Sequence, residues 1–288
     1  MLVMSVARRL DRFAHIACQA ARQAGALLAA HLGEPTTVHT KRSAIDLVTE
    51  FDKAAEKLIH RKLLRAFPDH GFCGEEHLAL RREAPYRWIV DPLDGTTNFV
   101  HGVPMFGVSI ALAHHQTMLV GVIYDPIRKE LFTAMKGRGA FVNGRRIAVS
   151  KTPRIEQSLL STGFASTFHE HSQRYLNWFG ILESNSHAVR RIGSTVLSLS
   201  YVAAGRLDGF YEEGLQPWDM AAGLLIVQEA GGRISNLHGQ SAVLEHGELV
   251  ASNGRIHHQL LALLARPTPH RRRVGVRDVG RRRARGRR

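Results

Sequence analysis

Asp91-Pro92-Leu93-Asp94-Gly95-Thr96 follows directly on the apolar run Trp88-Ile89-Val90. That run reads as a short buried strand, and a strand that stops at Asp91 presents a carboxylate at the edge of its sheet. Pro92 fixes its own φ and turns the chain. Asp94 then falls close to Asp91, and Gly95 lets the backbone approach a ligand closely. Two carboxylates so close repel each other unless a cation lies between them. Ligands that are all oxygen favour a hard ion such as Mg2+. Thr96 and Thr97 add hydroxyls to the same turn. By itself the run reads equally well as an Asx turn capping a strand.

Other acidic residues bear on that choice. Gly74-Glu75-Glu76 follows an apparent strand over Gly71–Cys73, a second carboxylate pair at a strand end. Asp52 falls in the first turn of a predicted helix, and Asp219 follows Pro217-Trp218 at the start of another. Singly, such residues are commonly charges that suit a helix N-terminus. Together they supply several carboxylates at element ends, where ligands are bound.

Outward from this stretch, apolar residues at Leu10, Phe13, Ala17, Ala20, Ala24, Leu27 and Leu28 predict a helix from about Val6 to Leu32, ended by Gly33 and Pro35. Thr49 with Asp52 three residues on resembles a capping box and opens a second helix to Ala66, before Pro68. Phe106–Ala113, Met118–Tyr124 and Lys129–Ala134 read as an antiparallel meander, and Asn143-Gly144 as a hairpin turn. Beyond Lys151, strands are predicted at Ser158–Ser161, Asp208–Tyr211 and Arg233–Ser235. Helices are predicted at Ser194–Ala204 and Trp218–Ala230, closed by Gly205 and Gly231-Gly232. The pattern is an antiparallel α+β half followed by an α/β half.

The 288 residues are 44% hydrophobic, enough for a substantial core. The net charge of +14 suggests nucleic acid until it is located: residues 266–288 hold eleven Arg and one Asp, leaving +4 for the other 265 residues. That tail is nearly devoid of apolar residues and is expected to be disordered. No run of eighteen apolar residues suggests a membrane span, and no signal peptide follows Arg8-Arg9, so a cytoplasmic protein is expected. Met4 could serve as the start as well as Met1. Cys18 and Cys73 form no C-x-x-C pair and read as ordinary thiols. The seventeen His form no metal-ligand motif, and His114-His115 and His257-His258 are expected at the surface.

The run Trp88-Ile89-Val90-Asp91-Pro92-Leu93-Asp94-Gly95-Thr96-Thr97-Asn98-Phe99 strongly resembles the first signature of the inositol monophosphatase family. Trp218-Asp219-Met220-Ala221-Ala222-Gly223, continuing to Glu229-Ala230-Gly231-Gly232, resembles its second. Asp46-Leu47-Val48-Thr49-Glu50-Phe51-Asp52 and Gly74-Glu75-Glu76 also look like family segments, and the likeness covers roughly residues 10–264. The resemblance implies a layered α-β-α-β-α sandwich of the inositol monophosphatase and fructose-1,6-bisphosphatase type, usually dimeric. It implies that residues 1–150 carry most metal ligands and residues 151–265 the substrate pocket.

By the same resemblance, Glu75, Asp91 and the Leu93 carbonyl would bind a first Mg2+, and Asp91, Asp94 and Asp219 a second. A third, weaker ion would lie near Glu75. Glu75 and Thr96 would position and deprotonate water, with Asp52 supporting Thr96. The amides of Gly95 and Thr96 would contact phosphate, and Lys41 would lie near the site entrance. Glu212 would meet a substrate hydroxyl, and Gly193, Ser194 and Thr195 would line the sugar pocket. Lithium inhibition is also implied.

The expected activity is hydrolysis of myo-inositol monophosphate or a similar polyol phosphate. The short spacing from Glu76 to Asp91 and the presence of Glu212 favour that branch over fructose 1,6-bisphosphate, histidinol phosphate, NADP or nucleotide 3′-phosphate. Thr195 and Gln216-Pro217 depart from the usual pocket residues. No expected ligand is missing, which disfavours a non-catalytic relative. The alternative is a regulator that binds RNA or the transcription machinery, since some bacterial relatives do so. The Arg-rich tail could bind RNA weakly through its charge, but it has no aromatic residue to stack on bases.

Overall fold

The helical period at Leu10, Phe13 and Ala17 builds the first helix, α1 (Val6–Ala30), whose Phe13, Ala17, Ala20, Ala21, Ala24 and Leu28 are all buried. The structure, a computed structural model, describes residues 6–34, 37–40, 47–76, 79–164 and 168–266. Lys41, Asp46, Met4 and the tail from residue 267 lie outside the described residues.

A short antiparallel pair, β1 (Val38–Thr40) and β2 (Leu47–Thr49), leads into α2 (Glu50–Ala66). Then come β3 (Gly71–Gly74), β4 (Ala79–Leu80), β5 (Tyr86–Asp94) and the short α3 (Thr96–Val100). The meander is β6 (Gly107–His114), β7 (Thr117–Asp125) and β8 (Glu130–Met135). It continues through the hairpin of β9 (Ala140–Val142) and β10 (Arg145–Ile147), whose turn residues Asn143 and Gly144 take φ of 48° and 77°. That pair of positive φ values is what a two-residue hairpin turn requires.

The second half runs β11 (Leu159–Thr162), α4 (Phe168–Glu183), β12 (Ala188–Arg190), α5 (Thr195–Ala203) and β13 (Gly209–Glu212). It ends with α6 (Pro217–Glu229), β14 (Arg233–Ser235), β15 (Leu249–Ser252) and α7 (His257–Leu264). The eight-stranded sheet has the order β10-β9-β8-β7-β6-β5-β3-β4, and the five-stranded sheet the order β12-β11-β13-β15-β14.

Apolar faces decide the layering. α1 and α2 bury their stripes against one face of the large sheet around Trp88, Val90 and Ile110. α5 and α6 are apolar nearly all round, as helices covered on two sides must be. They pack on the other face of the large sheet and against the small sheet, in one core that joins Ile89 and Ala111 to Phe210 and Leu249. α4 and α7 cover the outer face of the small sheet. The result is the α-β-α-β-α sandwich. Gly121 of β7 permits the close approach of α6: a Cβ there would stand 2.7 Å from the Ala222 carbonyl oxygen. Among the described residues no helix is long and apolar enough to cross a membrane.

Two expectations are corrected. The strand does not stop at Asp91. β5 continues to Asp94 through an irregularity, in which three steps from Asp91 to Asp94 oppose two on β6, from Ser109 to Gly107. Pro92 has no N–H to give the ladder, and such a bulge is where a sheet tolerates it. The second correction concerns His257, which is fully buried, its ring between Ser235 Oγ (2.9 Å) and Ser252 Oγ (2.8 Å); His258 is exposed. Both ring nitrogens are partnered, which makes burial of the imidazole tolerable. The small sheet is mixed, with β11 parallel to β12 and β13 and with β15 antiparallel to β13 and β14.

Candidate active site

β3 and β5 are parallel neighbours, with Gly74 opposite Val90. Their C-terminal ends therefore open at the same edge, and Glu75 emerges beside Asp91. The Glu75 amide donates to the Val90 carbonyl at 3.1 Å, which ties the two ends together. Within the bulge Asp91 Oδ1 accepts the Leu93 amide at 2.9 Å. Gly95 then takes φ 96°, and a Cβ there would meet the Met105 carbonyl at 2.9 Å. Only glycine satisfies both demands without strain.

Two helices deliver carboxylates by the same device. Asp52 is the third residue of α2, and its Oδ2 accepts from Thr49 N (2.8 Å) and Thr49 Oγ1 (2.5 Å). Its Oδ1 lies 3.2 Å from Thr96 Oγ1, which is also 3.0 Å from the Leu93 carbonyl. Asp219 is the third residue of α6, and its Oδ2 accepts the Gln216 amide at 2.7 Å, with Pro217 at the first helical position. Each Asp caps its own helix with one oxygen and presents the carboxylate inward.

The second half of the chain closes the site. Asp94 Oδ2 accepts the Val196 amide at 2.9 Å and the Ser194 hydroxyl, so it caps α5 from about a hundred residues away. Thr195 Oγ1 donates to Glu212 Oε2 at 3.0 Å. The departure at Thr195 thus supplies a hydroxyl that holds Glu212. Gly163 lies against the same carboxylate, where any side chain would overlap it. Asn98 Nδ2 donates to the carbonyls of Met105 (2.7 Å) and Ile192 (3.0 Å), stitching α3 to the segment before Gly193.

Carboxylate oxygens of Asp91, Asp94 and Asp219 lie within 4.8 Å of one another. Burial pushes Asp91 well above the usual carboxylate range, and the charges of Glu75, Asp94 and Asp219 push it further. Burial raises Asp219 in the same way, helped by Glu75 and Asp94. Asp94 rises to about 6 through burial, against the lowering effect of its bonds from Ser194 and Val196. Glu212 rises to about 8, again through burial, with Thr195 and Arg191 opposing and Asp94 adding. These groups are costly as bare anions at neutral pH and well suited to share a hard divalent cation. The donor set fits such an ion, being all oxygen with several negative charges, and Leu93 lines the same cleft.

A cleft of about 900 Å³ holds these groups together. Glu75, Asp91, Leu93, Asp94, Gly95, Thr96, Gly193, Ser194, Thr195, Glu212 and Asp219 all line it. Asp52 stands behind Thr96, and Lys41 lies outside the described residues. Lys53, His39, His101 and Arg191 add basic groups to the lining. Reading of the sequence missed the Ser194–Asp94 and Thr195–Glu212 bonds and any role for Asn98. The first two link residues far apart in the chain and leave no local signal. Asn98 was visible only as part of the first signature.

A profile described as the inositol monophosphatase family matches residues 9–269. A protein named Nus factor SuhB from Pseudomonas aeruginosa is 45% identical over 262 residues, covering 89% of this chain and 96% of its own. An inositol-1-monophosphatase from Mesorhizobium japonicum is 41% identical over 255 residues, covering 88% and 96%. The solved structure of an inositol monophosphatase from Anabaena superposes with a TM-score of 0.83 at 39% identity, covering 91% of this chain and 98% of that one. The acidic cluster at the strand ends, the five-layered fold and a family match over nearly the whole chain agree, and the chain belongs to the inositol monophosphatase family.

Proposed function

We propose that the chain is a Mg2+-dependent phosphomonoesterase acting on myo-inositol monophosphate or a similar polyol phosphate. The observation that carries this reading is the convergence of Asp91, Asp94 and Asp219 within 4.8 Å, with Glu75 and Thr96 lining the same cleft. Divalent cations held there would neutralise the phosphate dianion and make a water easier to deprotonate. Glu75, Asp91 and the Leu93 carbonyl would hold one ion, and Asp91, Asp94 and Asp219 another, with a third near Glu75.

The chain's own groups then divide the work. The single proton of the Thr96 hydroxyl is committed to Asp52 or to the Leu93 carbonyl. Its oxygen is thereby available to accept from a water, and Glu75 stands ready to take the water's proton. The amides of Gly95 and Thr96, at the start of α3, face phosphate. Glu212 and Thr195 meet the hydroxyls of the alcohol, which favours a polyol over an apolar leaving group.

The test is phosphate release from inositol 1-phosphate, fructose 1,6-bisphosphate, histidinol phosphate, NADP and adenosine 3′,5′-bisphosphate, with and without Mg2+. The expected result is Mg2+-dependent turnover that is highest on the inositol ester and inhibited by Li+. No release from any ester would reject the reading. Light scattering checks the homodimer that accompanies it.

A second reading is favoured by the relatives named as Nus factors and by the eleven Arg of residues 266–288. Through that tail the chain would bind RNA by counterion release. Binding that weakens steeply with salt, and is lost on truncation at residue 266, is expected; affinity unchanged by truncation rejects it.

A further inference from the structure

α2 carries a second buried carboxylate, one turn beyond Asp52 and on the same face of the helix. Glu56 is 1% exposed, and its Oε2 accepts the backbone N–H of Glu76 at 2.8 Å. The amide immediately before it, that of Glu75, donates to the Val90 carbonyl of β5 at 3.1 Å. Two consecutive amides are thus tied to two different elements. One is tied to the strand that carries Asp91, the other to the helix that carries Asp52. The Cα of Glu75 lies between these two anchors, and from it the Glu75 side chain reaches the cleft that Asp91 lines.

Gly74 completes the arrangement. Any Cβ at this position would overlap the Glu56 carboxylate. β3 therefore ends in the residue type that lets Glu56 reach the Glu76 amide. A bond from an amide to a carboxylate is shorter and stronger than one to a neutral acceptor. It adds a second anchor to a turn that the Glu75–Val90 bond ties to β5.

We infer that Glu56 is a positioning residue for Glu75: its buried carboxylate fixes the Glu75–Glu76 turn so that Glu75 meets the Asp91, Asp94 and Asp219 cluster in the geometry a divalent cation requires. The inference rests on the Mg2+-phosphatase reading and adds to it a group that stands behind the ligands. What matters is the reach of the side chain to the Glu76 amide, not its charge at a distance.

Reach and charge are separated by two substitutions. Glu56→Asp keeps the charge and is one methylene too short; Glu56→Gln keeps the reach and an acceptor oxygen. Mg2+ binding to the chelator-treated full chain is measured by titration calorimetry, beside the thermal midpoint and phosphate release. Glu56→Asp is expected to weaken Mg2+ binding roughly 10–100-fold, the range for groups that orient metal ligands. Glu56→Gln should stay within about fivefold, the difference between a charged and a neutral acceptor. Gly74→Ala, which leaves Glu56 in place but takes its room, should weaken binding as Glu56→Asp does. Glu56→Asp binding as tightly as wild type, or Glu56→Gln weakening as much as Glu56→Asp, overturns the inference. If Glu56→Asp does not fold, wild-type Mg2+ affinity in Gly74→Ala overturns it. A wild-type chain that neither binds Mg2+ nor releases phosphate rejects the reading of the site itself. A wild type that does both, with variants that bind equally well, rejects only the role of Glu56.

Discussion

Asp94→Asn is expected to lower Mg2+-dependent phosphate release by about a thousand-fold, because one substitution removes charge and inverts a donor pattern. Asp94 already spends Oδ2 on the Val196 amide and the Ser194 hydroxyl. An Asn must keep its oxygen there, since the amide of Val196 can only donate. Its NH2 then points at Asp91 and Asp219, where a cation has to sit. Removing one partner from a buried charged group costs about 3–5 kcal/mol, and each 1.36 kcal/mol is roughly a factor of ten in rate. Initial rates at saturating Mg2+ test this, with circular dichroism to confirm the fold. Near-normal turnover would remove Asp94 from the ion-binding group. The same variant should be at least as stable as wild type in chelator, since it relieves repulsion among buried carboxylates.

Stability of the chelated protein should in turn fall as pH rises from about 4 to about 8, because four raised carboxylates outweigh two lowered histidines over that window. The fall comes from the acidic cluster. Asp94, raised to about 6, and Glu212, raised to about 8, bind protons more tightly folded than unfolded. Asp91 and Asp219 do so more strongly. For a raised carboxylate the stabilising contribution is complete below its unfolded pKa and is lost as pH rises through the folded one. Histidine opposes that fall. Burial lowers His70 and His257 to about 4, so they stay neutral in the fold while the unfolded chain takes up protons from about 6.5 downward. Their contribution is present above that value and lost as pH falls toward 4.

Saturating Mg2+ should abolish the fall and leave the opposing rise that histidine gives between about pH 4 and 6.5. Mg2+ at a hundred times its dissociation constant adds about 2.7 kcal/mol, which for a chain of this size is several degrees, at roughly 2–4 °C per kcal/mol. Thermal midpoints at pH 5 to 8, with chelator and with Mg2+, decide the matter. A flat profile from pH 6 to 8 in chelator would contradict the electrostatic account of the cluster.

Much of this molecule is written in local sequence. The capping box of Thr49 and Asp52, the meander, the Asn143-Gly144 turn and the start of α6 at Pro217 each depend on a few neighbouring residues. Their periodicity or turn chemistry is therefore visible in the chain itself. The two signatures around Asp91 and Asp219 sufficed to name the family for the same reason. They are contiguous runs whose residue types are demanded by a bulge, a positive φ and a helix cap. The helix α4, the strand β15 and the burial of His257 carry no such local mark. Their surroundings come from other elements: Ser235 and Ser252 bury that ring, and nothing in the adjacent residues announces them.

The run from Asp91 to Thr96 marks the same boundary within the site. Its composition alone showed closely spaced carboxylates, whose like charges repel wherever the rest of the chain lies, and left a cation site and a plain Asx turn equally open. Only the tertiary structure decided what those carboxylates face. The parallel pairing of β3 and β5 brings Glu75 to Asp91, and the stacking of α5 and α6 between two sheets carries Ser194 and Asp219 to Asp94. Such contacts depend on how apolar faces pack across a hundred residues. That is a property of the folded whole, which no short stretch of sequence contains.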